Sequence, residues 1–242
     1  MTRPVRIGTA GWSIPSLYLG QVPAGASHLE RYARHLNAVE INSSFYRPHR
    51  RATYQRWAQS VPDDFRFSVK LPKAITHDAG LADCSALLDR FVDEVTGLGD
   101  KLGVLLVQLS PKSEFKKRIA NGFFRDLRMR IDADVVVEPR HASWFAEGTD
   151  AWLAKRRIAR VAADPARFAS ASEPGGAHEL RYYRWHGSPR IYHSNYDAAA
   201  LAALKRRLED RARQSSAWCI FDNTVAGAAL GNALELARSL RP

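Results

Sequence analysis

Two periods alternate along the chain. Short runs rich in Val, Ile, Leu and Phe recur between longer stretches whose apolar residues fall three and four apart, the pattern of strands followed by amphipathic helices. Strands are predicted at 5–10, 38–45, 65–71, 102–109, 134–138, 158–163, 180–185 and 217–221. Helices are predicted at 29–36, 52–61, 85–98, 115–129, 151–157, 198–212 and 226–240. The helix at 85–98 puts Leu87, Leu88, Phe91, Val92 and Val95 on one face, and Gly99 can end it. Pro62 follows the second helix and Pro72 the third strand, because proline restricts the residue before it and offers no amide. The run LGVLLVQL at 102–109 is apolar almost throughout, as expected of a parallel strand covered on both faces. The segment ITHDAG at 75–80 and the Ala-, Ser-, Gly- and Pro-rich segment 168–179 are read as loops.

Eight strands alternating with helices, without a linker, predict parallel strands joined by right-handed crossovers. In 242 residues they predict one domain, 1–242, of the TIM-type (β/α)8 barrel class. An open doubly wound sheet is the competing arrangement. It finds no support from a GxGxxG or GxxxxGK[ST] motif, and Gly97 and Gly99 follow a helix rather than a strand.

Strand side chains alternate with period two, so parity assigns faces. Glu40, Asn42 and Ser44 share one face of the second strand, and Val39, Ile41 and Phe45 the other. Ser68 and Lys70 oppose Phe67, Val69 and Leu71. Val136, Glu138 and Arg140 align if the strand continues through Pro139. Tyr182, Arg184 and His186 align, as do Ile220, Asp222 and Thr224. The polar members stand late in their strands, which directs them to the C-terminal rim, where α/β barrels build their sites. Charges buried together are much less costly than lone ones.

Charge adds a second theme. Lys plus Arg number 36 against 25 Asp plus Glu, for a formal net charge of +11. That balance favours nucleic acid or another polyanion as partner, although the excess of Arg over Lys and the abundance of Ala also match a high-GC genome. Cys84 and Cys219 form no disulfide framework. The opening MTRPVRIGTAGW lacks the apolar segment of a signal peptide, and no run approaches the roughly 18 apolar residues of a membrane span. A cytoplasmic protein without a membrane partner is expected.

The candidate chemistry divides by residue type. Glu40, Glu138, His186 and Asp222 are candidate acids and bases. Lys70, Arg140 and Arg184 can grip a phosphate or carboxylate through charge-assisted hydrogen bonds. Asn42, Gln108 and Asn223 can satisfy ligand polar groups, His77 and His141 lie in predicted loops near them, and Trp12, Tyr46 and Trp144 can wall or stack on a ligand. Structural duties compete. Glu40 can neutralise Lys70 or Arg184, Glu138 can pair with Arg140, His186 can be a hydrogen-bonded core histidine, and Asp222 and Asn223 can cap the last helix. The His and carboxylate set contains ligand chemistry for Zn²⁺ or Mn²⁺, but no HxH or HExxH motif gathers it, and the neighbouring cations oppose it. No metal and no cofactor is assigned. There is no GxSxG elbow, and the separation of a glycosidase-like Glu40–Glu138 pair is not fixed by sequence.

These segments together resemble the YecE-like family, domain of unknown function 72, over nearly the whole chain. IGTAGWS, VEINSSFYRPH, FRFSVKLPKAITH, LGVLLVQLSP, VVEPRHASW, YYRWHG and FDNTVAGAALGNAL carry the resemblance. Three positions depart from the family pattern: Ser110 stands where proline is usual, Gly103–Val104 where a Gly–Pro pair is common, and Pro139 where an aromatic is common. The resemblance implies a TIM-type barrel with a polar pocket at the strand ends and carries no reaction. The expectation is therefore a site for a small phosphorylated or anionic ligand. A nucleic-acid-binding or metal-dependent nucleic-acid-processing protein is the first rival, and a noncatalytic ligand-binding or interaction protein the second.

Overall fold

The computed structural model describes residues 5–22, 25, 27–210 and 215–240. The predicted alternation is present. The strands are β1 (Val5–Thr9), β2 (Ala38–Ile41), β3 (Arg66–Lys70), β4 (Leu102–Gln108), β5 (Asp134–Glu138), β6 (Ile158–Arg160), β7 (Ala162–Asp164), β8 (Gly175–Gly176), β9 (Leu180–Trp185) and β10 (Ser216–Phe221). The helices are α1 (His28–Ala33), α2 (Arg51–Gln59), α3 (Ser85–Val95), α4 (Lys117–Arg130), α5 (Thr149–Ala154), α6 (Ala198–Glu209) and α7 (Ala228–Ser239).

Local chemistry starts these helices where it does. Ser27 and Glu30 form a reciprocal capping box on α1, and the Asp197 carboxylate accepts the Ala200 amide at the head of α6. Leu88, Phe91 and Val95 of α3 are buried in the apolar core, whereas Leu87 is exposed. The last predicted turn of α6, at 211–212, lies outside the described residues.

The strands pair in the orders β1-β10-β9-β7 and β2-β3-β4-β5-β6-β8. Every pair is parallel except β6 with β8. Two features link the sheets. Ala10 bridges Glu40 in parallel, and the Gly11 amide donates to the Glu40 carbonyl at 2.8 Å. This approach of β1 to β2 requires glycine at position 8, since a Cβ there would collide with the Ala38 carbonyl. At the other junction, the expected strand at 158–163 divides around Val161. Its first part pairs with β5 and its second with β9, and the Val161 amide donates to the Val137 carbonyl at 2.9 Å.

The apolar residues form two clusters. The larger lies between strands and helices and includes Val39, Ile41, Phe67, Val69, Leu105, Val107, Val135 and Val137. The smaller gathers the opposite parity: Ala38, Val104, Leu106, Val136, Ala159, Tyr182, Trp218 and Ile220. The polar candidates continue that second face toward the strand ends.

Three expectations are corrected. The second strand stops at Ile41, and 43–45 forms a tight 3₁₀ turn, fixed by Ser44 Oγ donating to the carbonyls of Ile41 (2.8 Å) and Lys70 (2.6 Å). Strand parity therefore does not extend to Asn42, Ser44 and Phe45. Residues 74–78, expected as loop, form a helical turn carrying His77. The loop at 168–179 contains β8, which pairs with β6 next to the bidentate Arg160–Asp150 ion pair.

Candidate functional site

Arg184 stands at the centre of the strand ends. Its side chain is fully buried and its guanidinium meets three carboxylates from three other strands or their ends. Nε donates to Glu40 Oε2 at 2.9 Å, Nη1 to Glu138 Oε2 at 2.7 Å, and Nη2 to Glu40 Oε1 at 2.7 Å and Asp222 Oδ2 at 3.0 Å. A planar fork with five donors suits this convergence, which a lysine could not reproduce. Burial opposes the charge, but the carboxylates of Glu40, Glu138 and Asp222 outweigh it and hold the guanidinium well above its ordinary pKa.

His186 bridges two of the same acids. Nδ1 lies 3.0 Å from Asp222 Oδ2 and Nε2 lies 3.1 Å from Glu138 Oε1. Ionised carboxylates only accept, so both ring nitrogens must carry protons for both contacts to be hydrogen bonds. Burial lowers the pKa of this ring; Glu138 and Asp222 more than reverse that, and the net shift is upward. The two acids shift the other way. Burial raises the pKa of Glu138, and Arg184, Arg140 and His186 overcome it, leaving the carboxyl well below the usual range. Burial likewise acts against Asp222, which Arg184, His186 and Lys70 bring to a lowered value.

An outer ring completes the cluster. Arg140 Nε and Nη2 donate to Glu138 Oε1 at 3.2 and 3.1 Å, and Gln108 Nε2 donates to Glu138 Oε2 at 3.1 Å. The strand does not continue through Pro139, since β5 ends at Glu138, yet the Arg140 side chain still reaches Glu138. The Tyr182 hydroxyl lies 3.2 Å from Glu40 Oε2 and 2.7 Å from Ser68 Oγ, so it can donate to the acid and accept from the serine. Tyr192 closes over His186 with ring centroids 6.0 Å apart, and its amide donates to the His186 carbonyl at 2.5 Å.

Lys70 differs from every other charge in the cluster. It is 5 % exposed, and its ammonium lies over the Phe45 ring, 4.0 Å from the centroid. Among the described residues no carboxylate comes within ion-pair distance of it and no acceptor within hydrogen-bond distance. Burial, then repulsion from Arg184, brings the amine down to about 8, despite the more distant Glu40, Glu138 and Asp222.

The other candidates divide between rim and scaffold. His77 lies edge-on to Phe45, its Nδ1 2.9 Å from Thr76 Oγ1, and it borders a neighbouring cavity of about 390 Å³ together with Ser110, Lys112, Lys116 and Trp144. Burial, Lys70 and Arg140 lower the pKa of the His77 ring. Asn42 holds a buried Oδ1 without a partner. Tyr46 is 75 % exposed and packs edge-on to Phe45. Trp12 packs edge-on against Trp57. Trp144 is buried on Phe115, its indole N–H donating to the Ser113 carbonyl at 2.9 Å. His141 Nδ1 lies 2.9 Å from Ser143 Oγ, a local turn contact. Asn223 spends its amide N–H groups on Ser194 O and Asn232 Oδ1, both at 2.9 Å, while its own Oδ1 is buried without a partner. Neither Asp222 nor Asn223 caps α7, whose N-cap is Gly227.

Two candidate roles do not survive this geometry. Arg184 is not exposed to clamp a ligand anion: four of its five N–H donors are engaged by acids and its side chain is fully buried. Glu40 and Glu138 cannot work as a glycosidase pair across a sugar, because the same guanidinium binds both. The same cation holds the centre toward which the acids point, and among the described residues no group of three or more His, Cys, Asp or Glu has the arrangement of a metal site. The residues that sequence reasoning passed over are Tyr182, Ser68, Phe45 and Tyr192. Parity with Arg184 and Lys70 already pointed to the first two.

An α/β fold of parallel sheets with an ionic cluster at the strand ends is thus the class that fold and site define. The family described as "Protein of unknown function DUF72" matches residues 6–242, and the chain belongs to it. The UPF0759 protein YecE of Escherichia coli (strain K12) is 33% identical over 146 residues, 60% of this chain and 52% of the relative. The UPF0759 protein YunF of Bacillus subtilis (strain 168) is 26% identical over 149 residues, 59% of this chain and 52% of the relative. The matched stretch thus spans about half the length of these curated relatives. A crystal structure of a DUF72 family protein from Enterococcus faecalis V583 superposes with a TM-score of 0.83 at 21% identity, covering 98% of this chain and 95% of that one. One from Thermotoga maritima MSB8 gives 0.77 at 23% identity, covering 98% of each. These likenesses concern the fold. Among the described residues no helix is long and apolar enough to cross a membrane.

Proposed function

We propose that the strands form one eight-stranded (β/α)8 barrel and that its C-terminal rim binds a small anionic ligand, such as a phosphorylated metabolite. The bridge between Ala10 and Glu40 and the strand shared around Val161 support closure of the two sheets into one ring. The wall would then be β1, β2, β3, β4, β5, the β6–β7 segment, β9 and β10.

One observation carries the ligand reading: Lys70 is a buried cation with an aromatic ring beneath it and, among the described residues, no anion in contact. The charge count points the same way. Arg184, Arg140, His186 and Lys70 face Glu40, Glu138 and Asp222, which leaves one positive charge in surplus when His186 and Lys70 are both protonated. A ligand anion would balance it, which makes the desolvated ammonium less costly. Arg140 has donor capacity left, since Nη1 is not engaged by Glu138, and its side chain is 25% exposed. Arg184, Glu40 and Asp222 then act as the rigid floor that holds Glu138 and positions the mouth. The cavity lined by His77, Lys112 and Lys116 meets the cluster only through His77, whose ring feels the charges of Lys70 and Arg140.

Titration calorimetry with inorganic phosphate and then small sugar phosphates tests this reading. Binding to the wild type, weakened about tenfold or more by Lys70→Ala, is expected from the loss of a charge-assisted contact of about 1.5–3 kcal/mol. Absence of any heat, or equal affinity in the variant, rules it out. The net charge of +11 favours a nucleic-acid strand as the rival occupant. A steep salt dependence for oligonucleotides, with no response to sugar phosphates, selects that rival.

A further inference from the structure

We infer that Lys70 is a nucleophilic amine that condenses with the carbonyl group of a small aldehyde or ketone to form an imine. The inference shares its site with the anionic-ligand reading but rests on separate properties of the same side chain. Lys70 is neither paired nor hydrogen-bonded among the described residues. It stands at the end of β3 with its tip on the Phe45 ring. The turn at 43–45 holds that ring in place, because Ser44 Oγ is anchored to the Lys70 carbonyl at 2.6 Å. The amine is therefore held on the Phe45 ring with no hydrogen-bond acceptor, among the described residues, to displace.

The surrounding charges set its protonation. Arg184 and His77 face it as cations or potential cations, and Glu40, Glu138 and Asp222 as acids. All three acids are already engaged by Arg184, so none is free to close on the ammonium. Burial and Arg184 prevail and bring the amine to about 8, where a sizeable neutral fraction exists near neutral pH. His186, by contrast, is held protonated between two acids and is poorly placed to exchange a proton.

The step balances without a further reagent. The neutral amine nitrogen donates its lone pair to the carbonyl carbon, a C–N bond forms, the carbonyl π pair moves to oxygen, and one N–H proton passes from nitrogen to that oxygen; the second N–H proton leaves with the hydroxyl group in the dehydration that follows. The resulting carbinolamine loses that oxygen as water, and the C=N bond forms. In sum, one primary amine and one carbonyl compound give one imine and one water. An anionic group elsewhere on the substrate would be met by Arg140 or by the lysines of the adjoining cavity.

Reductive trapping tests the inference directly. The full chain is incubated with glyoxylate, a small anionic aldehyde, or with acetaldehyde, its neutral counterpart. Sodium cyanoborohydride then reduces any imine to a stable secondary amine, and peptide mass spectrometry reads each lysine. The expected result is faster labelling of Lys70 than of the exposed Lys73 at pH 7, with a pH midpoint near 8 for Lys70 alone. Lys70→Arg should remove that adduct and leave the other lysines unchanged, with the far-UV circular dichroism of the wild type as control for folding. Equal trapping of both aldehydes keeps the amine chemistry and sinks the anion preference. Labelling of Lys70 slower than that of Lys73, or with the midpoint of an ordinary lysine, overturns the inference, and this measurement on the wild type needs no variant to fold.

Discussion

On one face of the same strands, two layers of side chains stand two residues apart and have opposite chemistry. Ala38, Leu106, Val136, Tyr182 and Ile220 belong to the apolar layer. The next residues of the same parity are Glu40, Gln108, Glu138, Arg184 and Asp222, which belong to the ionic one. Parity fixes the face; distance along the strand fixes the chemistry. The apolar layer is stabilised by removal from water, at about 25 cal/mol per Å². The ionic layer is held by mutual compensation, since each buried charge except Lys70 has a partner of opposite sign. The first layer should therefore tolerate small losses one at a time, and the second should fail when its hub is removed.

The hub gives the largest expected effect. Arg184→Ala leaves three buried carboxylates facing one another, and removal of one partner from such a pair costs about 3–5 kcal/mol. Urea denaturation should show a lower midpoint, or no folded protein. A loss below about 1 kcal/mol would mean that the acids hold one another through shared protons and that the contrast between the layers is wrong. Leu106→Ala, in the apolar layer, should cost about 2–5 kcal/mol, according to how far its neighbours collapse into the space. Double-variant additivity sharpens the contrast. Leu106→Ala should add to a distant apolar change, whereas Arg184→Ala and Glu138→Gln should be strongly non-additive.

How legible were these layers in the sequence? Glu40, Lys70, Glu138, Arg184, His186 and Asp222 were placed together by two facts alone, period-two alternation and a position late in a strand, and the structure does bring them together. Phe45 was assigned to the opposite face. It reached Lys70 because the strand ends at Ile41, and a 3₁₀ turn changes the phase of side chains by about 120° per residue rather than 180°. Parity also could not show that Arg184 would be engaged by acids, because its partners come from positions up to 144 residues away. Tyr192 lies in a connection with φ of 69°, a backbone state that no hydrophobic pattern encodes. The division of 158–164 between two neighbours is likewise a property of how the sheets meet, not of the segment itself.

Lys70 should behave opposite in sign to Arg184. Its folded pKa is lowered, so between about 8 and the usual lysine value near 10.4 the unfolded chain binds more protons. Stability contributed by this group must then rise with pH across that window. Removing the charge in Lys70→Met should leave stability at pH 7 unchanged or raise it by about 1 kcal/mol, and the alkaline rise should disappear. His186 imposes the reverse slope. Its raised folded pKa gives a contribution that is complete below about 6.5 and lost as pH climbs through the folded value. Glu138 and Asp222, with lowered values, contribute above about 4 and lose that contribution as pH falls. Thermal melts from pH 2 to 10 on wild type and Lys70→Met separate these slopes. An undiminished alkaline rise in the variant would refute the assignment.

The smallest stability effect is the most informative about the mouth. Arg140 and Arg184 both bind Glu138, but one is 25% exposed in its side chain and the other 0%. Solvent screens the outer pair, so Arg140→Ala should cost at most about 1 kcal/mol in a urea titration. If Arg140 faces the ligand, phosphate affinity should nonetheless fall about tenfold, measured by the same calorimetry as for the wild type. Stability and binding would then separate between two arginines that share one carboxylate. If affinity is unchanged while stability drops by several kcal/mol, Arg140 belongs to the buried floor with Arg184, and the ionic layer extends one residue further toward solvent than the contrast between the layers assigns to it.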